Sequence, residues 1–118
     1  MKRIVGAGLF FFFLITGTSL AENWPAWRGV QGIGISGERH LPSRFSSVEK
    51  VLWKAPLPDS GNSTPIVWDN HVFVTCPNDG GKTRSLICFD RNTGEKRWQY
   101  DVSYPDYETA HVDNPFCS

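Results

Sequence analysis

Hydrophobic and polar residues alternate along the second half of the chain, from about residue 64 onward. In HVFVTC, for example, Val72, Val74 and Cys76 fall on one face of an extended chain and Phe73 falls on the other. A period of two residues is typical of β-strands, and clusters of Pro, Asn, Asp and Gly between the runs are typical of turns. The pattern predicts an all-β fold, an antiparallel meander with strands in STPIVWDN, HVFVTC, RSLICFD and EKRWQYDV, and a further short strand in KVLWKAPL at residues 50–57.

Two turns of this meander are predicted in detail. Asp69-Asn70 has the length and composition of a tight turn between the first two strands. In CFDRNTGEKRW, residues 88–98, Asp90 is expected to accept hydrogen bonds from the amides of the following turn. Gly94 is expected to take the positive φ that closes a type I turn with a bulge. Trp98 then lies on the next strand, where it can fill a gap between neighbouring sheets.

The N-terminus is apolar without alternation. A basic start at residues 2–3 precedes an apolar run at 4–15, and a small-residue pattern ends at Ala21. This order is typical of a secretory signal peptide, and the run is shorter than the roughly 20 residues that span a bilayer. We therefore expect cleavage between Ala21 and Glu22, export to the periplasm or the extracellular space, and no permanent membrane anchor.

The rest of the chain divides by composition. Residues 22–49 are rich in Gly, lack periodicity and predict an irregular N-terminal segment, in which Trp24 and Trp27 are expected to pack onto the body of the protein. Residues 50–118 contain the alternating runs. The predicted organisation is thus a signal peptide at 1–21, an irregular segment at 22–49 and a β-domain at 50–118.

Charge excludes one class of partner. The 118 residues include 12 basic and 12 acidic residues, and loss of Lys2 and Arg3 with the leader reduces the basic residues to ten. The remaining basic residues are scattered rather than clustered on one stretch. Binding to nucleic acid needs a basic face that neutralises phosphates, so no nucleic-acid partner is expected.

The chain contains two weak internal echoes. VLWKAPLP and KRWQYDVS each place a tryptophan, Trp53 and Trp98, in a predicted short strand. A second echo pairs Asn62-Ser63 with Cys117-Ser118. The spacings are close to the roughly 40–50 residues of a four-stranded propeller blade.

The stretch SLICFDRNTGEKRWQYDV resembles the blade signature of the pyrroloquinoline-quinone (PQQ)-like β-propeller repeat, in which an Asp-x-x-Thr-Gly turn precedes a Trp. The structural blade motif is then Asp90, Thr93, Gly94 and Trp98. NSTPIVWDNHVFVTC is similar to the two inner strands of such a blade, and NWPAWRG with WKAPLP is similar to the start of exported bacterial members.

This resemblance implies an incomplete β-propeller made of antiparallel four-stranded blades. One full blade would span about residues 64–102, the next would start at the C-terminus, and an early strand near 50–56 would help to close the ring. A single blade leaves both faces of its sheet exposed. The expected partners are therefore the remaining propeller blades in cis or a partner protein.

Three functions follow as alternatives. The first is a non-catalytic repeat module of an exported protein that serves protein or cell-envelope interaction. The second is the N-terminal portion of a PQQ-dependent alcohol or sugar dehydrogenase, for which the resemblance implies PQQ and calcium as cofactors. The third is a truncated fragment without independent function. No catalytic, cofactor-binding or metal-ligating residue is assigned.

Other motifs are better explained by structure than by chemistry. Gly32, Gly34 and Gly37 match a dinucleotide fingerprint in spelling but lack the strand before and the helix after that this motif requires. His111, Asn114 and Cys117 lie close together, although Asn is a poor ligand for transition metals.

The three cysteines match no zinc-binding spacing. Cys76 and Cys88 are predicted to be small buried residues on strands, and their pattern leaves room for one disulfide that involves Cys117.

Overall fold

The computed structural model of the chain describes residues 21–104. They contain one antiparallel sheet in which neighbours in sequence are neighbours in space. Its strands are β1 (Ile66–Trp68), β2 (His71–Asn78), β3 (Thr83–Asp90) and β4 (Lys96–Ser103). This confirms the all-β class and the antiparallel meander. No helix within the described range is long and apolar enough to cross a membrane.

The turn between β1 and β2 is the predicted Asp69-Asn70 pair. Trp68 lies opposite His71, which leaves two residues to reverse the chain. Asp69 adopts a left-handed φ of 49°, a conformation that Asp and Asn tolerate better than most residues. The side chain of Asn23 accepts a hydrogen bond from the Asp69 amide at 2.7 Å, so the N-terminal segment also holds this turn.

The connection between β2 and β3 is shorter than predicted. Pro77 and Asn78, assigned to a loop by composition, belong to β2 and lie opposite Arg84 and Thr83. β1 pairs with β2 only as far as Phe73, so β2 has an open edge at Pro77. A proline is tolerated at such an edge because its missing N–H costs no ladder hydrogen bond.

The predicted strand at 50–57 is wrong. Residues 51–57 form no strand, and Trp53 therefore does not echo Trp98 as a second strand tryptophan. Pro56 and Pro58 lack the N–H groups that a ladder needs. This segment crosses the sheet as an irregular strap and is held by its side chains.

The core lies between the strap and one side of the sheet, which we call the covered face. Cys76, Ile87 and Phe89 form its buried cluster, and Val72 and the strap residue Ala55 pack against it. The covered face includes Val72, Val74, Cys76, Ser85, Ile87 and Phe89, which are opposite one another in the register of β2 and β3.

The N-terminal segment joins the sheet at one point. Trp24 exchanges two backbone hydrogen bonds with Val67, at 2.8 and 2.9 Å, and so extends the sheet beyond β1. Residues 25–49 form turns and bends without a strand or helix. Trp24 is half-buried as expected, whereas Trp27 is 72% exposed, so its predicted packing onto the body is wrong.

Candidate functional site: the Asp90 turn and the open face of the sheet

The β3–β4 turn is organised by Asp90. One carboxylate oxygen accepts hydrogen bonds from the amides of Asn92 and Thr93, at 2.8 and 2.9 Å. The backbone oxygen of Asp90 accepts from the Gly94 amide at 2.9 Å, and Gly94 has the predicted positive φ of 73°. These contacts are the ones that the sequence predicted for Asp90 and Gly94.

The second carboxylate oxygen of Asp90 faces Arg97. Their ion pair measures 2.5 Å, and the Asp90 side chain is only 8% exposed. The hydrogen bond from Arg97, followed by those from the Thr93 and Asn92 amides, holds the pKa of Asp90 well below its usual range. Both oxygens of this carboxylate are thus engaged within the fold. Asp90 is an anchor for the turn rather than an acid or base available to a substrate.

A bulge at the start of β4 makes this ion pair possible. Phe89 lies opposite Lys96, yet Cys88 lies opposite Trp98, so Arg97 is an extra residue without a partner on β3. Extra residues of this kind bend a strand and re-aim its side chains. Beyond the bulge, Trp98 shares the face of Cys88 and Phe73.

The strap is hydrogen-bonded to the same turn through Trp53. The indole N–H of Trp53 donates a 2.8 Å hydrogen bond to the backbone oxygen of Arg91, and its ring stacks near Phe89 with a centroid distance of 6.4 Å. Sequence reasoning missed this role of Trp53. Local pattern offers no signal for it, because 38 residues separate the donor from the acceptor.

The side chain of Arg91 is hydrogen-bonded to the N-terminal segment at the same end of the sheet. Its guanidinium lies 3.2 Å from the backbone oxygen of Asp69, 3.3 Å from that of Ala21 and 3.5 Å from that of Glu22. The Arg91 amide also donates to the Asn70 oxygen at 3.0 Å. The predicted cleavage pair Ala21 and Glu22 therefore lies beside the β1–β2 and β3–β4 turns.

The side of the sheet opposite the strap is apolar and exposed, and we call it the open face. Phe73 and Trp98 meet at its centre with ring centroids 6.0 Å apart. Trp98 is 44% exposed and Tyr100 is 66% exposed. The register of the strands places His71, Thr75 and Arg84 on this face as well, and its large apolar side chains are Ile66, Trp68, Phe73, Leu86, Trp98, Tyr100 and Val102. Apolar patches of this kind mark surfaces that bind another molecule.

A groove of about 410 Å³ lies at one edge of the open face. Trp27, Ser63, Phe73, Thr75 and Leu86 contribute to its lining. The hydroxyl of Ser63 accepts hydrogen bonds from the amide and the hydroxyl of Thr75, at 3.2 and 2.8 Å. These contacts keep residues near 63 alongside β2 before β1 begins.

The two described cysteines are buried and free, Cys76 at 1% and Cys88 at 0% exposure. Cys76 lies on the covered face opposite Ser85, whereas Cys88 lies on the other face opposite Phe73. Burial raises the pKa of the Cys88 thiol, an effect that nearby Arg97 partly offsets. They are the predicted buried strand residues. Cys117 lies outside the described residues.

A polar network occupies the covered side of β3 and β4. The Ser85 hydroxyl donates to an Asp101 oxygen at 2.6 Å, and the Gln99 amide donates to the same oxygen at 2.8 Å. These two bonds, Ser85 first, lower the pKa of Asp101. Ser85 is only 2% exposed, so its hydroxyl is enclosed by the fold.

Two of the three histidines and the glycine motif lie within the described residues. His71 begins β2 and stacks on Phe73 at 5.9 Å, and His40 is exposed. Gly32, Gly34 and Gly37 have neither a strand before them nor a helix after them. The trio of His111, Asn114 and Cys117 lies outside the described residues.

Calcium takes six to eight oxygen ligands, mostly from carboxylates and carbonyls. Between residues 21 and 104 no three His, Cys, Asp or Glu side chains converge on a point where a metal ion could be held.

Comparison of the chain with protein-family models, with curated proteins and with solved structures finds no match.

Proposed function

We propose that this chain is a non-catalytic blade module of an exported β-propeller protein, and that its open face binds a second β-sheet. The observation on which the proposal rests is the asymmetry of the sheet. The strap buries the cluster around Ile87 on one side, while Trp98 and Tyr100 on the other side are 44% and 66% exposed. Sheets that expose an apolar face are completed by packing against another layer.

A sheet is the partner that fits the shape and chemistry of this face best. Its residues alternate along four neighbouring strands and so form a broad apolar surface rather than a narrow cleft. Sheets pack face to face at about 10 Å with side chains interdigitating. Phe73 and Trp98 project from the two strands that flank Cys88, where they can insert between the side chains of an opposing sheet.

The resemblance of residues 85–102 to the PQQ-like repeat supports the same partner, since blades of a propeller meet face to face. The partner sheet is then another blade, supplied in cis by a longer chain or in trans by a second protein. The turn built on Asp90, Thr93 and Gly94 supports the blade by fixing how β4 leaves β3. Its residues contact one another and the strap, which accords with a structural role.

The test places a photo-reactive phenylalanine analogue at position 98 in the natural full-length protein, irradiates it in the source cells and identifies the cross-linked peptide by mass spectrometry. We expect cross-links to alternate residues of a β-strand, either in the same chain or in one partner. A matched control carries the analogue at Phe45, which is 74% exposed in the irregular segment. Cross-links from position 98 to helical peptides, to lipid or to nothing beyond the Phe45 background would refute the proposal.

A further inference from the structure

The backbone nitrogen of Glu22 faces a carboxylate. Its N–H donates a hydrogen bond to Oε1 of Glu38, sixteen residues later. The side chain of Glu22 is fixed at the same place, because its Oε2 accepts from the Ser36 hydroxyl at 2.8 Å and from the Gly37 amide at 2.9 Å. The Glu38 amide in turn donates to the Ser36 hydroxyl at 3.1 Å. Residues 36–38 thus form a small cradle for residue 22.

The bond before Glu22 is the one that the sequence predicts to be cut. An endopeptidase that prefers a small residue before the bond adds one water molecule across the Ala21–Glu22 peptide. Ala21 leaves as a carboxylate, and the Glu22 nitrogen becomes an α-ammonium group. A neutral N–H donor is therefore converted into a cation at the position that already contacts Glu38.

We propose that cleavage after Ala21 creates an ion pair between the new α-ammonium group of Glu22 and the Glu38 carboxylate, which latches the irregular segment closed. This inference rests on the export that forms part of the proposed function. Before cleavage the Glu38 carboxylate accepts from a neutral N–H, and a positively charged donor adds charge–charge attraction to that contact. The latch therefore strengthens only when the leader is removed.

The surrounding groups support a cation at this position. Two carboxylates, those of Glu38 and of Glu22 itself, lie at the cradle. The guanidinium of Arg91 lies 3.5 Å from the Glu22 oxygen and 3.3 Å from the Ala21 oxygen, which belongs to the same peptide group as the Glu22 nitrogen, and the two carboxylates offset this positive charge. Cleavage removes the Ala21 oxygen from Arg91, which keeps its 3.2 Å contact with the Asp69 oxygen.

The latch closes the loop that carries Trp27. At the start of this loop, Trp24 is hydrogen-bonded to Val67 of β1, and Asn23 is hydrogen-bonded to Asp69. Residues 23–24 are therefore fixed to the sheet. On the other side, the cradle at 36–38 is fixed to Glu22. Processing is thereby coupled to the position of Trp27 at the edge of the open face, where the groove lies.

The ion pair has a chemical signature. The α-amino group of a peptide titrates at about pH 8, and a neighbouring carboxylate raises that pKa. A raised pKa in the folded state means that the stabilisation is fully present below about pH 8 and is lost as the pH rises through the higher, folded value. A rise of about one unit in the pKa lowers the fraction of neutral α-amine at pH 7 about tenfold. Because only the neutral amine is acylated, the rate of acylation falls by about the same factor.

The experiment uses the mature full-length protein purified from its source. Mass spectrometry first identifies its N-terminal residue, which we expect to be Glu22. Acetic anhydride then labels the protein at pH 7, and the N-terminal peptide is quantified over time against a free peptide of the same sequence. We expect about tenfold slower labelling in the protein. Glu38→Gln should restore most of that rate, whereas Glu49→Gln, an equal charge change elsewhere in the exposed segment, should not.

A second variant avoids dependence on Glu38. One glycine inserted before Glu22 keeps every charge but moves the ammonium group one residue from the cradle, so labelling should accelerate as in Glu38→Gln. A natural protein that retains its leader, or begins elsewhere, overturns both the cleavage and the latch. If the mature protein begins at Glu22 but the Glu38→Gln variant is labelled no faster than the unmodified protein, the latch is overturned. That outcome leaves export and the sheet-binding proposal unaffected.

Discussion

Trp53 and Gly94 approach so closely that no side chain fits between them. A Cβ built on Gly94 would lie 2.5 Å from Cδ2 of Trp53, well inside the distance that real Cβ atoms reach. Gly94 also has a φ of 73°, which L side chains rarely adopt. One glycine therefore satisfies two demands, since it closes the Asp90 turn and leaves room for the tryptophan that holds the strap on the sheet.

Gly94→Ala should destabilise the protein strongly. A left-handed conformation costs a non-glycine residue about 1–3 kcal/mol, and overpacking against Trp53 adds about 1–3 kcal/mol. We expect a loss of about 3 kcal/mol or more in the free energy of unfolding, measured by urea titration. Gly80→Ala is the matched control, because Gly80 has a φ of 62° with no atom within 4 Å of the added Cβ. Equal losses in the two variants would show that Trp53 does not press on Gly94.

Trp53→Phe should separate the hydrogen bond of Trp53 from its packing. Phenylalanine keeps an aromatic ring near Phe89 but removes the N–H that donates to the Arg91 oxygen at 2.8 Å. A hydrogen bond of this type contributes about 1 kcal/mol, so we expect a destabilisation of that size in equilibrium unfolding. Trp27→Phe, at a site 72% exposed, should change stability by no more than about 0.5 kcal/mol. Indistinguishable unfolding of the Trp53 and Trp27 variants would contradict the role assigned to Trp53.

Asp90→Asn should destabilise the protein in a pH-dependent way. Asparagine retains an oxygen for the Asn92 and Thr93 amides but loses the charge that pairs with Arg97. Because folding lowers the pKa of Asp90, its contribution is present above the unfolded value of 3.8 and is lost as the pH falls through the lower, folded value. Thermal unfolding at pH 7 should show a Tm several degrees below that of the unmodified protein.

The gap between the two Tm values should narrow steadily below about pH 4. Asp69→Asn is the control for loss of one carboxylate at an exposed turn. A gap of constant size from pH 7 to pH 3 would show that the ion pair with Arg97 does not stabilise the fold.

The thiols of Cys76 and Cys88 should react only when the sheet opens. Both side chains are essentially inaccessible to a reagent, and burial also raises the pKa of the Cys88 thiol. The measurement uses the Cys117→Ser variant, so that only Cys76 and Cys88 can react. We expect iodoacetamide to label the folded protein at least about hundredfold more slowly than the denatured protein. An opening free energy of about 3 kcal/mol produces protection of this size. Ser47→Cys, at an exposed site, provides the rate of a free thiol. Rapid labelling of Cys88 in the folded protein would mean that the open face does not shield it.

Local chemistry was sufficient to predict the strands and their turns. The alternation around Phe73 and Ile87 depends only on which neighbouring residues share a face, and the Asp90 turn is built from residues that are adjacent in sequence. The same reasoning fails where proline residues or contacts between residues distant in sequence override the local hydrophobic pattern. Composition predicts a loop at Pro77, which instead extends β2, and alternation predicts a strand at 50–57, where the chain instead forms the strap.

The sequence by itself thus determined an antiparallel meander with a glycine-closed turn, because period-two patterning and turn chemistry act over a few residues. Only the tertiary structure decided which face Trp98 occupies. Without the bulge at Arg97, Trp98 would lie opposite Ile87 and on the covered face; with it, Trp98 joins Phe73 on the open face. One residue of register reverses every side chain of a strand, and that register is set by the pairing of β3 with β4 and by the Arg97–Asp90 contact, which no local pattern of β4 encodes.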